Sequence, residues 1–192
     1  DAKMLEVCST TLPQSVIPAI MSDRRYGSHL KERRIFFKKR AEKAYKILNQ
    51  VPGIISPKTA GAFYVSVVFK NGVLNPPAGR AGNKQKLEIK NGKVRKFIEE
   101  KTSNGIAPDK RFVYYLMGAT GICVVPLTGF NCNLLGFRVT LLETDEAKFE
   151  WIYKTIAEKI KATLEQGKLA SSLTLDKDEK PLAEQMQLMT LK

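Results

Sequence analysis

The chain has 192 residues, of which 43% are hydrophobic, and a formal net charge of +13 from 32 Lys and Arg against 19 Asp and Glu. This length suffices for one domain with a real core. No uncharged apolar stretch approaches the length of a membrane span, which argues against a membrane protein. Cys8, Cys123 and Cys132 are too few and too unevenly spaced for a disulfide framework or a zinc site, and reduced cysteines favour a cytoplasmic protein.

The positive charge keeps nucleic-acid binding open as a function. Residues 24–46 contain ten Lys or Arg and two Glu, a net charge of +8. One face of a helix with these cations would contact phosphates. However, the cations are not interleaved with exposed aromatic residues, and no RNA- or DNA-binding signature is present. A solvated helix face is therefore the favoured interpretation, and a basic nucleic-acid-binding or interaction module is the alternative.

The first part of the chain is predicted to be helical. Pro13 in a first turn predicts a short helix over residues 13–22, which Pro18 would bend or split. A long helix is predicted over residues 28–49, with Ser28 as its N-cap. Its apolar stripe recurs at three- and four-residue steps and comprises Leu30, Phe37, Ala41, Ala44, Tyr45 and Leu48.

The middle of the chain is predicted to begin with strands and continue as a polar connection. The Val-Pro-Gly run at residues 51–53 ends the long helix. Short strands are predicted over residues 54–55 and 61–69. Residues 70–92 are rich in Asn-Gly, Pro and Gly turn signals, so we expect a long polar connection, with a hairpin around residues 87–89.

The last part of the chain contains three predicted helices and a polar tail. Helices are expected over residues 93–101 and 106–117. The final helix is expected to begin at Thr144 or Asp145 and to run to about residue 166. Residues 168–192 have the composition of a polar tail.

Two short apolar runs lie between the last two of these helices. Residues 122–125 and 137–142 are bounded by turn residues, with Asn131, Asn133 and Gly136 before the second run, which predicts two buried strands. Cys123 in the first run is interpreted as a small core residue. The whole pattern predicts an α+β fold in which a small, mostly antiparallel sheet is covered on one side by helices.

Arg138 is a single cation inside the second run. A guanidinium cannot be neutralised and is costly to bury alone, so it must meet an anion or reach water. One interpretation is a strand residue on the solvent face of the sheet. The other is a ligand-binding residue, since a planar fork of five donors suits a carboxylate held bidentately.

These segments resemble the C-terminal end of class I and II aminotransferases. The run G-I-C-V-V-P at residues 121–126, the Gly/Phe turn that follows, and F-R-V-T-L at residues 137–141 match the family's pattern. The Val-Pro-Gly turn, Pro57 and the Gly-Ala-Phe-Tyr run that begins at Gly61 stand in the family's order. The family comprises pyridoxal-phosphate enzymes of fold type I, and its alanine and aspartate aminotransferase-like members are the most similar.

The resemblance implies a function for Arg138 and for the turn before it. In the family, the Arg of the F-R motif binds the α-carboxylate of the substrate. The residues implied to line the site are Pro126, Leu127, Thr128, Gly129 and Phe130. Many relatives have Gly-Ser where this chain has Leu-Thr, so the amino acid and the oxo acid are left open.

The resemblance also implies a domain organisation. Residues 1–25 would connect to a large domain that precedes them, residues 26–167 would form the C-terminal small domain with an insertion at 70–92, and residues 168–192 would be the tail. In the family, the cofactor lysine and the carboxylate beside the pyridine nitrogen lie on the large domain. No lysine in this chain has the family's setting, so no catalytic, cofactor or metal residue is assigned to it.

The expected parent is therefore a homodimeric, cytoplasmic aminotransferase. It would use pyridoxal phosphate to transfer an amino group between an amino acid and a 2-oxo acid. This chain would bind the substrate and close the site, and would be inactive alone.

Overall fold

The computed structural model describes residues 10–70, 73–74, 87–103 and 105–171. Within these ranges the helices are α1 (Thr11–Ser15), α2 (Ile17–Ser22), α3 (Tyr26–Leu48), α4 (Gly92–Thr102), α5 (Pro108–Thr120) and α6 (Glu146–Ser171). The strands are β1 (Ile54–Ile55), β2 (Tyr64–Phe69), β3 (Val125–Pro126) and β4 (Gly136–Thr140). This mixture of helices and strands confirms the predicted α+β class.

The strands form one antiparallel sheet in the order β1-β2-β4-β3. Successive side chains of a strand point to opposite faces. One face is therefore buried and consists of Val65, Val67 and Phe69 from β2 with Phe137 and Val139 from β4. On the other face, the described side chains of these two strands are exposed or half-buried. The expectation of a sheet covered on one side is confirmed.

Three aromatic rings form the centre of the core. The ring centroids of Phe69 and Phe112 lie 5.1 Å apart, those of Phe112 and Phe137 5.7 Å, and those of Phe69 and Phe137 6.0 Å. These rings join β2, β4 and α5. Each such side chain contributes about 1.5–3 kcal/mol by leaving water, so the cluster fixes α5 against the sheet.

Helices α3 and α6 pack against each other. Arg40 of α3 is 4% exposed, and its guanidinium carbon lies 4.4 Å from the ring centroid of Phe36 and 4.6 Å from that of Phe149. Its Nη2 donates to the carbonyl of Thr144 at 2.9 Å. Lys43 forms ion pairs of 2.7 Å with both Glu146 and Glu150. Polar contacts therefore surround an apolar contact between the two helices.

The ion pairs of Glu150 predict a loss of stability in acid. Hydrogen bonds from Lys154 and Lys43 lower the pKa of Glu150 to about 2, from an ordinary value of 4.5. A carboxylate with a depressed pKa stabilises the fold above its unfolded pKa, and this contribution disappears as the pH falls toward the folded pKa. We expect Glu150→Gln to flatten the pH dependence of the urea midpoint between about pH 4.5 and pH 2. Glu158→Gln, at an exposed position on the same helix, should leave that dependence unchanged; equal slopes for the two variants would contradict the prediction.

The helix boundaries differ from the prediction at several points. The N-terminal helix is split at Val16, as predicted from Pro18, which occupies the first turn of α2. The long helix begins at Tyr26 rather than at Ser28, because the chain turns at Asp23, whose carboxylate accepts from the N–H of Arg25. Helix α6 continues to Ser171, past the predicted end near residue 166.

The strand predicted over residues 122–125 is mostly wrong. Only Val125 and Pro126 pair with β4, while Gly121 ends α5 in a left-handed conformation and residues 122–124 have no strand pairing. Ile122 and Val124 are buried, whereas Cys123 between them is exposed, so the interpretation of Cys123 as a core residue is wrong. The cause is that side chains alternate along residues 122–124: Ile122 and Val124 face the core, and the side chain between them faces solvent.

The second predicted strand is shifted toward the N-terminus. Strand β4 begins at Gly136, which was interpreted as a turn residue, and pairs it with Val68. A Cβ atom at Gly136 would clash with the carbonyl oxygen of Val67 and with Leu127 Cδ1, so a glycine is required at this close approach. At the other end, Leu141 is buried and Leu142 is 47% exposed.

Part of the prediction falls outside the described residues. This holds for residues 1–9, for the tail beyond residue 171 and for most of the 70–92 connection. Residues 87–89 are described and form no strand, so the hairpin predicted there is not found in them. Instead, Leu87 and Ile89 are buried in the core. None of the described helices is long and apolar enough to cross a membrane.

Candidate carboxylate-binding site

Arg138 lies in the middle of β4, opposite Ser66 of β2 and Val125 of β3. Its neighbours in the strand, Phe137 and Val139, point into the core, so Arg138 lies on the open face of the sheet, where it is half-buried. The buried neighbours therefore fix the backbone of Arg138 in the strand, while its guanidinium projects from the open face of the sheet.

Two aromatic rings flank the guanidinium of Arg138. Its central carbon lies 4.3 Å from the ring centroid of Tyr64 and 4.7 Å from that of Phe130. Both distances fall within the range of cation–π attraction. Tyr64 is 38% exposed and Phe130 is 51% exposed. The rings therefore limit the orientations of the guanidinium while remaining open to solvent themselves.

The guanidinium has no carboxylate partner among the described residues. The ion pairs of the described ranges involve other cations, and the contacts of Arg138 there are the two ring contacts. A guanidinium has five N–H donors, and rings do not satisfy donors that lie in the guanidinium plane. These donors can therefore bind an anion or water.

Phe130 is placed by the short 3-10 turn Leu127–Phe130 that follows β3. Leu127 is buried at the start of this turn. Asn131 ends it with φ 54°, a left-handed conformation that Asn tolerates better than most residues. Both ends of the Leu127–Phe130 turn are therefore fixed, and its last residue lies beside the guanidinium of Arg138.

Thr128 in the same turn is bonded to a buried carboxylate. Its N–H donates to Oδ2 of Asp109 at 3.0 Å, and its hydroxyl donates to Oδ1 at 2.8 Å. Asp109 belongs to the first turn of α5 and is fully buried. The turn is thereby tied to a helix that precedes it by nearly twenty residues in the chain.

The structure brings together only part of the predicted site. Phe130 contacts Arg138, whereas Leu127 is buried and Pro126 pairs with Phe137 in the sheet. Gly129 is exposed, and Thr128 is half-buried and bonded to Asp109. The involvement of these residues in substrate binding stays a prediction.

Sequence reasoning missed Tyr64 and Asp109. Tyr64 lies in the strand predicted over residues 61–69, and the sequence assigns it no role. Its position beside Arg138 depends on the register of β2 with β4, for which the sequence has no signal. Asp109 lies near the start of the helix predicted over residues 106–117, and the sequence assigns it no role. A signal was present there, since an acidic residue in the first turn of a helix next to Pro108 is suited to accept backbone N–H bonds.

The basic face of α3 gains no support as a second site. Arg25 is paired with Asp23, Arg33 lies 4.6 Å from the ring centroid of Phe36, and Arg40 is buried. Lys43 is paired with two glutamates of α6. Several cations of the run are therefore used within the fold, which weakens the nucleic-acid-binding alternative.

The chain is similar to proteins named as aminotransferases. It is 54% identical over 159 residues to an uncharacterized aminotransferase of Methanocaldococcus jannaschii, a match covering 83% of this chain and 35% of that protein. It is 30% identical over 162 residues to a probable mitochondrial alanine aminotransferase of Dictyostelium discoideum, covering 79% of this chain and 26% of that protein. No protein-family model matches the chain.

The chain thus spans about a third or less of the length of these curated relatives. The similarity covers 159 residues in the first comparison and 162 in the second, which is most of the chain. Matches of this length include β2, the turn and β4. The predicted resemblance to aminotransferases is therefore confirmed as a similarity to one part of proteins that carry this name.

Proposed function

We propose that this chain forms the substrate-binding, C-terminal part of a pyridoxal-phosphate-dependent aminotransferase, and that Arg138 binds the α-carboxylate of the amino acid. The observation that supports this proposal is the guanidinium on the open face of the sheet, which has two aromatic neighbours and no carboxylate partner among the described residues. The named relatives support the class of reaction.

The position of the Arg138 guanidinium suits the binding of an amino acid in one fixed orientation. A bidentate pair between a guanidinium and a carboxylate fixes both the position and the plane of the carboxylate. The rings of Tyr64 and Phe130 shield part of the guanidinium from water, which strengthens its attraction for an anion. With the carboxylate fixed, the Cα–H bond of the substrate takes one orientation, as proton abstraction requires.

The described residues fit a carboxylate but not the cofactor. Every lysine whose side-chain exposure the structure describes is exposed or half-buried, so none of these lysines is a desolvated amine. Pyridoxal phosphate supplies the electron sink of amino transfer and needs such a lysine. We propose that the cofactor lysine belongs to a longer parent and lies outside this chain, and that the present chain alone is inactive.

The rest of the organisation follows as part of the same proposal. Residues 1–25 would connect to the large domain and residues 26–167 would form the small domain. The parent would be a cytoplasmic homodimer in which the small domain closes over the substrate and excludes water. The alanine aminotransferase among the relatives makes alanine the first amino donor to examine.

The proposal is tested by following labelled nitrogen. The full-length parent, with pyridoxal phosphate, is incubated with each ¹⁵N-labelled amino acid, alanine first, and with pyruvate or 2-oxoglutarate, choosing the 2-oxo acid that does not correspond to the labelled donor. Mass spectrometry then measures the ¹⁵N in the new amino acid. We expect transfer by the parent and none by the 192-residue chain alone. Absence of transfer from every donor would contradict the assignment to aminotransferases, and transfer by the chain alone would contradict a cofactor lysine outside it.

A further inference from the structure

Asp109 is a fully buried carboxylate at the first turn of α5. Three donors bind it: the N–H of Lys110 at 2.8 Å, the N–H of Thr128 at 3.0 Å and the hydroxyl of Thr128 at 2.8 Å. Thr128 thus supplies two of the three bonds, one to each carboxylate oxygen. Asp109 therefore binds both the backbone and the side chain of Thr128 in the turn.

The surroundings of Asp109 stabilise its charge without a cation. No Lys or Arg of the described residues forms an ion pair with it. The N-terminus of a helix favours a negative charge, and three hydrogen bonds offset part of the cost of burying it. An apolar residue would be less costly to bury at the position of Asp109. The presence of a carboxylate there therefore indicates that its three hydrogen bonds are required.

The bonded turn carries Phe130, two residues beyond Thr128. Phe130 lies 4.7 Å from the guanidinium carbon of Arg138 although half of its surface is exposed. An exposed ring has little packing to hold it in place, so its position depends on the backbone of the turn. The backbone of the turn is in turn anchored through Thr128 to Asp109.

We propose that Asp109 is a positioning residue for the carboxylate site: through Thr128 it holds Phe130 over Arg138. This inference rests on the proposed function of Arg138. Asp109 itself touches neither the guanidinium nor, on this geometry, the substrate. Its effect should therefore appear in binding of the amino acid and should pass through Phe130.

The first test is the variant Asp109→Asn in the full-length parent. The amide oxygen can replace Oδ1, which accepts two bonds, and the NH₂ group then faces the N–H of Thr128, so that bond is lost. Loss of one such hydrogen bond corresponds to about a threefold to tenfold increase in KM for the amino acid, with kcat within about twofold. Asp145→Asn is the matched control, because Asp145 also accepts a helix N-terminal N–H, that of Lys148 at 2.7 Å, but in α6, and its KM should not change.

The second test asks whether Asp109 acts through Phe130. If it does, Asp109→Asn added to Phe130→Ala should raise KM no further than Phe130→Ala alone. Additive effects of the two substitutions would overturn the proposal. So would a lower thermal midpoint for Asp109→Asn with an unchanged KM, because the role of Asp109 would then be confined to stability.

A spectroscopic measurement needs neither cofactor nor turnover. In protein labelled with ¹⁵N-arginine, the Nε–H signal of Arg138 is assigned by its loss in Arg138→Met. Aromatic rings at these distances shift that signal, and we expect Asp109→Asn to move it toward its position in Phe130→Ala, while Asp145→Asn leaves it in place. An unmoved signal in Asp109→Asn would overturn the proposal.

The two proposals fail in different ways. If Arg138→Met leaves KM for the amino acid unchanged, the proposed carboxylate site is wrong. If Arg138→Met raises KM but Asp109→Asn does not, the carboxylate site stands and the role of Asp109 alone is refuted.

Discussion

Replacing Arg138 by alanine in the full-length parent should raise KM for the amino acid by about thirtyfold or more. Truncating one partner of a hydrogen-bonded charge pair that is buried, as this pair would be once the small domain closes over the substrate, costs about 2–5 kcal/mol, and each 1.4 kcal/mol is about tenfold in affinity. Since the cofactor would be held by other residues, its absorbance spectrum should not change. Steady-state kinetics with the amino acid varied at saturating 2-oxo acid measures the effect.

Two control variants make the Arg138 experiment specific. Arg95→Ala removes an equal charge from an exposed position on α4 and should leave KM unchanged. Arg138→Lys keeps the charge but loses the planar fork, so its KM should lie between those of the wild type and Arg138→Ala. An unchanged KM in Arg138→Ala, or equal changes in Arg138→Ala and Arg95→Ala, would refute the assignment.

The sequence indicated the importance of Arg138 because a cation inside an apolar β run is a local feature. Periodicity likewise predicted the long helix α3, the final helix α6 and strand β2, whose patterns extend over many residues. These elements suffice for the α+β class and for one covered face of the sheet. The resemblance to aminotransferases added the expected ligand of Arg138, which no local pattern supplies.

The surroundings of Arg138 depend on register and on contacts between distant segments, which local patterns do not encode. Tyr64 reaches the guanidinium because β2 is paired with β4 in one particular register. Asp109 reaches Thr128 because α5 packs against the turn. Gly136 was mistaken for a turn residue, since a glycine needed for a close approach between strands looks the same in sequence as one needed for a turn.

Replacing Phe137 by alanine should cause a large loss of stability in this chain. Phe137 is fully buried, and its ring lies 5.7 Å from that of Phe112 and 6.0 Å from that of Phe69. Large-to-small substitution of a buried Phe costs about 3–5 kcal/mol, because the transfer free energy of the ring is lost and a cavity remains. That is a large share of the about 5–15 kcal/mol that typically stabilises a folded protein. Urea unfolding followed by circular dichroism measures the change.

The comparison with Phe97→Ala separates core packing from the general loss of an aromatic ring. Phe97 is 52% exposed on α4 and contacts Lys101, whose Nζ lies 5.7 Å from its ring centroid. Its removal should therefore lower the free energy of unfolding by less than about 1 kcal/mol. Equal losses for the two variants would show that the ring of Phe137 is not packed between α5 and β2. Because Phe137 and Arg138 are consecutive residues on opposite faces of β4, the same packing that stabilises the core also fixes the strand from which the guanidinium projects.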